Sequence, residues 1–140
     1  MRVSFGILGC LATGLTLQGC AAPRMGGSGA RVYAVDLAGA AKLCEPGKAD
    51  PQAGQAVDVA LKMINDNGWC AVSVSRGGGA YDAGLLTERP SHGRVSIKTV
   101  GDATRIDYTP HAGFAGADKF AVRLVPTDAV LRITANVGGK

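Results

Sequence analysis

Apolar residues occupy every second position in several short segments of this sequence, and this spacing limits the folds open to the chain. Successive side chains of a β-strand point to opposite faces, so the spacing indicates strands with one buried face. Turn-forming residues separate the segments, as at 77–79, 101–102 and 127–128. The pattern predicts an all-β domain of short strands. The alternating positions are Val57, Val59, Leu61 and Met63; Cys70, Val72 and Val74; Val95 and Ile97; Ile106 and Tyr108; Phe120, Val122 and Leu124; and Leu131, Ile133, Ala135 and Val137.

One of these segments also fits a helix. Apolar residues between Val57 and Ile64 match helical spacing, and Asp50-Pro51 could open a helix. A helix that opened at Asp50-Pro51 would contain Gly54, however, and glycine weakens a helix interior. The stretch "NDNG" at 65–68 is typical of a tight turn between paired strands. We therefore predict a strand here, followed by a hairpin turn.

The N-terminus is predicted to direct export. The apolar stretch between Arg2 and Gln18 is uncharged and too short for a membrane span, which needs about 20 residues. It ends in "LQGC" (17–20), which resembles the lipobox of bacterial lipoproteins. This resemblance implies a signal peptide over 1–19 and acylation of Cys20, which would tether the mature protein permanently to a membrane. The alternative is an ordinary secretory signal, cut after a nearby small residue such as Ala22.

The region after Cys20 sets the expected location and domain limits. Ala21 rather than Asp follows the cysteine, which implies the outer membrane, on its periplasmic side or its surface, if the host is Gram-negative. Residues 20–30 are small and glycine-rich, so they predict a flexible linker, and 31–138 has the length of one sandwich domain. The 15 basic and 11 acidic residues are scattered along the chain. No basic stripe of the kind that binds nucleic acid is present in the sequence.

Two further cysteines, Cys44 and Cys70, remain in the exported domain. An even pair in an exported protein is most simply a disulfide. Neither cysteine has a histidine or a cationic cluster beside it in sequence, as a reactive thiol would need. We predict a disulfide that pins the segment before the first long hairpin against the strand that starts at Trp69.

A second resemblance covers residues 90–125. The stretch "RPSHGRVSIKTVGDATRIDYTPHAGFAGADKFAVRLV" is similar to the cadherin-like and bacterial Ig-like repeats of large surface proteins. It implies one Ig-like, cadherin-like antiparallel β-sandwich, although those repeats usually occur in tandem. The region around Cys44, Trp69 and Cys70 lies outside this pattern. The residues that match the structural corner of these repeats are Tyr108, Pro110, Gly113, Phe114, Gly116, Asp118 and Phe120.

Each of these residue types also suits a corner on physical grounds. A tyrosine at a strand end can point its ring inward and offer its hydroxyl to a backbone partner. Pro110 ends a strand, and the glycines permit turns with positive φ. Phe114 is predicted to plug the end of the sandwich, and Asp118 to accept backbone N–H groups. Asp107, on the outer face of its strand, is predicted to be solvated.

The sequence predicts no catalytic residues, no metal site and no cofactor. His92 and His111 both lie beside turn residues, and a structural metal site would need three or four ligands. Trp69 has two open interpretations, a core residue beside the disulfide or an exposed anchor at a binding surface. We favour a membrane-tethered, non-catalytic module that binds or assembles an envelope protein or glycan. The alternative is a small envelope enzyme or enzyme inhibitor that uses the loops around His92, His111 and Trp69.

Overall fold

The computed structural model describes residues 34–140. The predicted signal peptide (1–19), Cys20 and the linker (20–30) lie outside these residues. The described chain begins with a 3₁₀ turn and continues into strands β1 to β8. The 3₁₀ turn is Ala34–Leu37, and the strands are β1 Cys44–Pro46, β2 Ala56–Ile64, β3 Cys70–Val74, β4 Ala83–Glu88, β5 Gly93–Val100, β6 Ala103–Pro110, β7 Gly116–Val125 and β8 Ala129–Gly138.

The strands form two sheets around one apolar core. The larger sheet has the strand order β1-β2-β8-β7-β4, and the smaller has the order β3-β6-β5. Paired strands are antiparallel except β2 and β8, which are parallel. The predicted all-β, Ig-like sandwich is thereby confirmed. Its largest fully buried side chains are Tyr108, Phe120, Leu61, Met63, Ile106, Leu124, Leu131 and Ile133.

The parallel pairing of β2 with β8 brings two of the predicted apolar faces into one layer. Val57 lies opposite Leu131, and Met63 lies opposite Val137, so every inward residue of β2 meets an inward residue of β8. Side chains directly opposite each other on one face of a sheet pack together. The segment that also matched a helix is therefore a strand, because its alternate residues have an apolar partner along their whole length.

Connections between strands differ in part from the prediction. The turns around Gly101 and Asp128, which have φ of 56° and 55°, join β5 to β6 and β7 to β8 as hairpins. The hairpin predicted at "NDNG" is wrong, because β2 and β3 belong to different sheets. The segment crosses between the sheets instead. Asp66 holds the crossing by accepting the backbone N–H groups of Lys42 and Gly68, at 2.9 and 3.1 Å.

The predicted disulfide is confirmed. Cys44 in β1 is bonded to Cys70 in β3, with 5.3 Å between their Cα atoms. The bond therefore joins an edge strand of the larger sheet to an edge strand of the smaller sheet. It closes the side of the sandwich at which β2 leaves one sheet and β3 enters the other.

Candidate functional site

The corner predicted from the sequence is organised by the carboxylate of Asp118. This buried group accepts hydrogen bonds from the Tyr108 hydroxyl at 2.9 Å and from the backbone N–H groups of Ser91, His92 and Lys119 at 2.9, 2.8 and 3.0 Å. The hydroxyl of Tyr108 was expected to reach a backbone group, and its acceptor is this carboxylate instead. Asp118 therefore fixes the connection between β4 and β5 to the start of β7.

The ionisation of both partners follows from this arrangement. Burial alone would raise the pKa of Asp118, but the hydrogen bonds from Ser91, His92, Tyr108 and Lys119 favour the charged form and bring the pKa below its ordinary value. Burial raises the pKa of Tyr108 well above its ordinary value, and its bond to Asp118 raises it further. Tyr108 is thus a permanent donor and Asp118 a permanent acceptor at neutral pH.

The ring of Tyr108, whose hydroxyl bonds to Asp118, packs against a second aromatic ring. The rings of Tyr108 and Phe120 are stacked with centroids 5.4 Å apart, and both side chains are fully buried. The backbone of Gly93 lies against the Tyr108 ring, where a Cβ atom would meet ring carbons Cε2 and Cζ. Glycine is therefore required at the start of β5 by close contact rather than by backbone angle.

The turn from β6 to β7 carries His111 and lies beside the β4–β5 connection, which carries His92. After Pro110 ends β6, the N–H of Phe114 donates to the carbonyl of His111 at 3.1 Å, and Gly113 has φ of 76°. Phe114 is half-buried against the core, and its ring stacks on that of His92 with centroids 4.4 Å apart. Gly116, with φ of 139°, then leads into β7. His92 and His111 are both exposed.

Asn65 links a third loop to these two, a role that its place in the turn motif "NDNG" does not predict. Its side-chain amide donates to the carbonyls of His111 and Phe114 at 2.8 and 2.9 Å. The N–H of His111 in turn donates to the carbonyl of His92 at 2.7 Å. We call the surface formed by loops 65–69, 89–92 and 111–115 the loop end. A cleft of about 260 Å³ opens there, lined by Asn67, Arg94, Thr109, Pro110, His111 and Ala112.

Trp69 lies on the outer face of the smaller sheet, outside the apolar core. Its neighbour Cys70 points inward, and the indole is half-buried beneath the Arg105 guanidinium, whose Cζ is 4.2 Å from the ring centroid. Of the two interpretations left open by the sequence, the core position is therefore wrong, because alternation from Cys70 holds through the start of β3. The structure brings His92 and His111 together and places Trp69 on a neighbouring surface.

A buried ion pair lies beside Trp69. Arg105 donates to both oxygens of Asp107, at 2.7 and 3.2 Å, and the ammonium of Lys98 lies 2.8 Å from the same carboxylate. Asp107 is buried, so the predicted solvated position is wrong. Alternation placed it correctly on the outer face of β6, but the side chains of Arg105 and Lys98 lie against its carboxylate there.

The segment of residues 34–41, which we call the strap, contacts both Arg105 and Trp69. Arg105 donates to the carbonyl of Asp36, and the indole N–H of Trp69 donates to that of Ala38 at 3.0 Å. The backbone of Trp69 also donates to Gly39 and accepts from Ala41, at 3.1 and 2.8 Å. The strap therefore runs along the edge of β3 as a short parallel addition to the smaller sheet.

Metal-binding clusters and membrane-spanning helices are both absent from the described residues. Within residues 34–140, His, Cys, Asp and Glu side chains form no group of three or more that could hold a metal ion. In the same residues, no helix has the length and apolar character needed to cross a bilayer.

Comparison with known proteins gives no family assignment. No protein-family model matches the chain, and a search of curated proteins finds no significant match. The structure defines the class of the fold, an Ig-like β-sandwich.

Proposed function

We propose that this chain is a lipid-anchored protein of the cell envelope, with a domain that acts as a non-catalytic binding or assembly module. Its partner would be another envelope protein or a glycan. The anchor is supported by the lipobox-like "LQGC" that ends in Cys20. In a Gram-negative host, Ala21 after that cysteine supports an outer-membrane location. The sandwich then provides a compact carrier for the loop end.

The observation that carries the binding proposal is the set of hydrogen bonds that join the three loops of the loop end. Asn65 joins the loop after β2 to loop 111–115. His111 joins loop 111–115 to loop 89–92, and Asp118 joins loop 89–92 to β7. Loops held in this way lose little conformational freedom when a partner binds, and the entropic cost of binding is correspondingly small. The loop end is thus a prepared surface rather than a set of independent loops.

The exposed chemistry of the loop end suits a polar partner. Its buried polar groups are engaged within the domain, while the side chains of Asn67, Arg94, His92 and His111 face solvent. Amide, guanidinium and imidazole groups donate to carbonyl, carboxylate and hydroxyl oxygens. Protein loops and sugars both present such oxygens. The stacked pair of His92 and Phe114 adds a flat apolar surface beside them.

The experiment for binding is site-specific photo-cross-linking in intact cells. A photoreactive residue at Ala112, which is exposed and lines the cleft, should join the protein to a defined envelope component. The matched control is Asp102, exposed in the β5–β6 turn at the opposite end of the sandwich. The proposal predicts a discrete product from position 112 and none from position 102. Identical products from both positions, or none from either, would contradict it.

Anchoring is tested separately. Cys20→Ser should release the domain into the soluble fraction or leave an uncut precursor. Cys10→Ser, which lies inside the predicted signal peptide, is the matched control and should be processed and anchored normally. A Cys20→Ser protein that still sediments with membranes at high salt, with a processed N-terminus, would contradict the lipid anchor.

A further inference from the structure

Exposed apolar side chains are concentrated on the strap. The large hydrophobic residues that the described chain exposes are Val35, Leu37 and Leu85, at 77, 55 and 46 % of their surface. The first two lie on the strap, and Leu85 lies on β4 in the other sheet. Leu37 also forms the rim of a groove of about 360 Å³ on the outer face of the smaller sheet. Trp69 and Arg105 line the floor of this groove together with small residues of β3 and β6.

The exposure of these residues is built into the fold. The backbone around them is held by the bonds from Arg105 to Asp36 and from Trp69 to Ala38. Arg105 is itself fixed by its buried ion pair with Asp107. A segment tied down through its carbonyls, with Val35 and Leu37 facing solvent, presents apolar groups at a fixed position. Apolar side chains exposed together on the surface of a domain commonly mark a site of contact with a protein or a membrane.

The position of the strap along the chain favours a membrane. Under the proposed function, on which this inference rests, the lipid is attached at Cys20, which is 14 residues before Ala34 (34 − 20). A chain of that length can span at most about 50 Å. The strap is therefore the first part of the domain that the tether reaches. Tethering also makes a second, weak contact with the same membrane far more favourable than it would be from free solution.

We propose that the outer face of the smaller sheet docks on the bilayer that holds the anchor. Val35 and Leu37 would enter the boundary between headgroups and acyl chains, where apolar side chains of peripheral segments lie. Trp69 would lie close to the headgroups, the depth that tryptophan prefers. The exposed cation Lys42, which directly follows the strap, suits anionic phosphates.

The sole tryptophan of the chain makes this contact directly measurable. The chain from Cys20 to Lys140 contains only one cysteine outside the disulfide, Cys20. Its thiol can be coupled to a maleimide lipid in vesicles of phosphatidylethanolamine and phosphatidylglycerol. Acyl chains brominated near the headgroup quench indole fluorescence at short range. The proposal predicts that Trp69 is quenched in brominated vesicles and not in otherwise identical vesicles that lack bromine.

Variants identify the residues responsible. The double substitution Val35→Asp and Leu37→Asp should abolish the quenching, and should weaken sedimentation of the uncoupled Cys20→Ser protein with these vesicles by roughly tenfold or more. Leu85→Asp, which changes the third exposed apolar side chain on the opposite sheet, should leave quenching unchanged. All these positions are exposed, and equal melting temperatures will verify that the variants are folded.

The result can overturn the proposal in distinct ways. Absence of quenching in the coupled wild-type protein excludes membrane docking by this face. Quenching that persists in the Val35→Asp, Leu37→Asp variant excludes the strap as its cause. If an apolar envelope peptide changed the fluorescence of Trp69 and vesicles did not, the groove would be assigned to a protein partner. Because the lipid is coupled chemically, these outcomes are independent of whether cells acylate Cys20, which the fractionation experiment decides.

Discussion

Replacing Asp118 by alanine is expected to be among the most destabilising single changes at the corner. The hydroxyl of Tyr108 has no access to water, so leaving it without an acceptor costs about 1–3 kcal/mol. The N–H groups of Ser91 and His92 belong to exposed residues and can be hydrated, so each loses only about 0.5–1.5 kcal/mol. The total is about 2–6 kcal/mol, against about 5–15 kcal/mol for the stability of a whole domain.

A double-mutant cycle tests this reasoning. Tyr108→Phe removes the hydroxyl together with its bond, and should cost about 1–2 kcal/mol, because Asp118 keeps its backbone donors. Once that hydroxyl is gone, Asp118→Ala no longer strands it, so the two changes should be less than additive by about 1 kcal/mol or more. Urea unfolding near neutral pH, followed by Trp69 fluorescence and far-ultraviolet circular dichroism, measures both terms. An Asp118→Ala protein within about 1 kcal/mol of wild type, or strict additivity, would refute the argument.

The same group predicts a dependence on pH. The pKa of Asp118 is lower in the folded state than the unfolded value of about 3.9, so its contribution to stability is fully present above that value. The contribution is lost as the pH falls through the lower folded pKa. The difference in unfolding free energy between wild type and Asp118→Asn should therefore be constant from about pH 6 to 8 and shrink below about pH 4. A difference that grew on acidification would show that the sign is wrong.

Other changes have separate expected outcomes. Removing the disulfide by Cys44→Ala with Cys70→Ala should lower stability by about 3–4 kcal/mol in reversible denaturation, and an unchanged midpoint would contradict this. Phe120→Ala should cost about 3–5 kcal/mol, whereas Phe114→Ala, at a half-buried site, should cost clearly less; the reverse order in urea titrations would refute the burial argument. Arg105→Ala should cost about 3 kcal/mol or more and make the strap sensitive to limited proteolysis, and a digestion pattern identical to wild type would contradict its role.

Much of the fold was predictable because the alternation of apolar and polar residues identifies both the strands and their buried faces. The inward residues of β2 and β8 were identified correctly, since a strand with one buried face repeats every two residues. Alternation does not specify which strands pair, however. The hairpin after β2 was wrong for this reason: "NDNG" marks a tight change of direction, and the same residues serve a crossing between sheets as well as a turn within one.

The corner was also largely visible in the sequence, whereas the outer face of the smaller sheet was not. Tyr108, Gly113, Asp118 and Phe120 are local signals whose chemistry is used within a short stretch of chain. Asp107 appeared solvated because its partner Arg105 is held by the carbonyl of Asp36, about seventy residues earlier in the sequence. Burial of a polar residue by a distant segment leaves no periodic pattern. A pair of opposite charges two residues apart on a strand, such as Arg105 and Asp107, is the only local sign of it.

The bridge between β1 and β3 determines where a mechanical load would travel. A pull on the chain ahead of the strap would peel the bonds to Trp69 and Arg105 first and then reach Cys44. The disulfide would carry the tension directly from Cys44 to Cys70, and the segment between them, including β2, would carry no covalent tension. β2 lies inside the segment that the disulfide bypasses, so it is outside the covalent path of the load. If the chain is anchored as proposed, such a load would detach the strap before it reached the disulfide and the sandwich behind it.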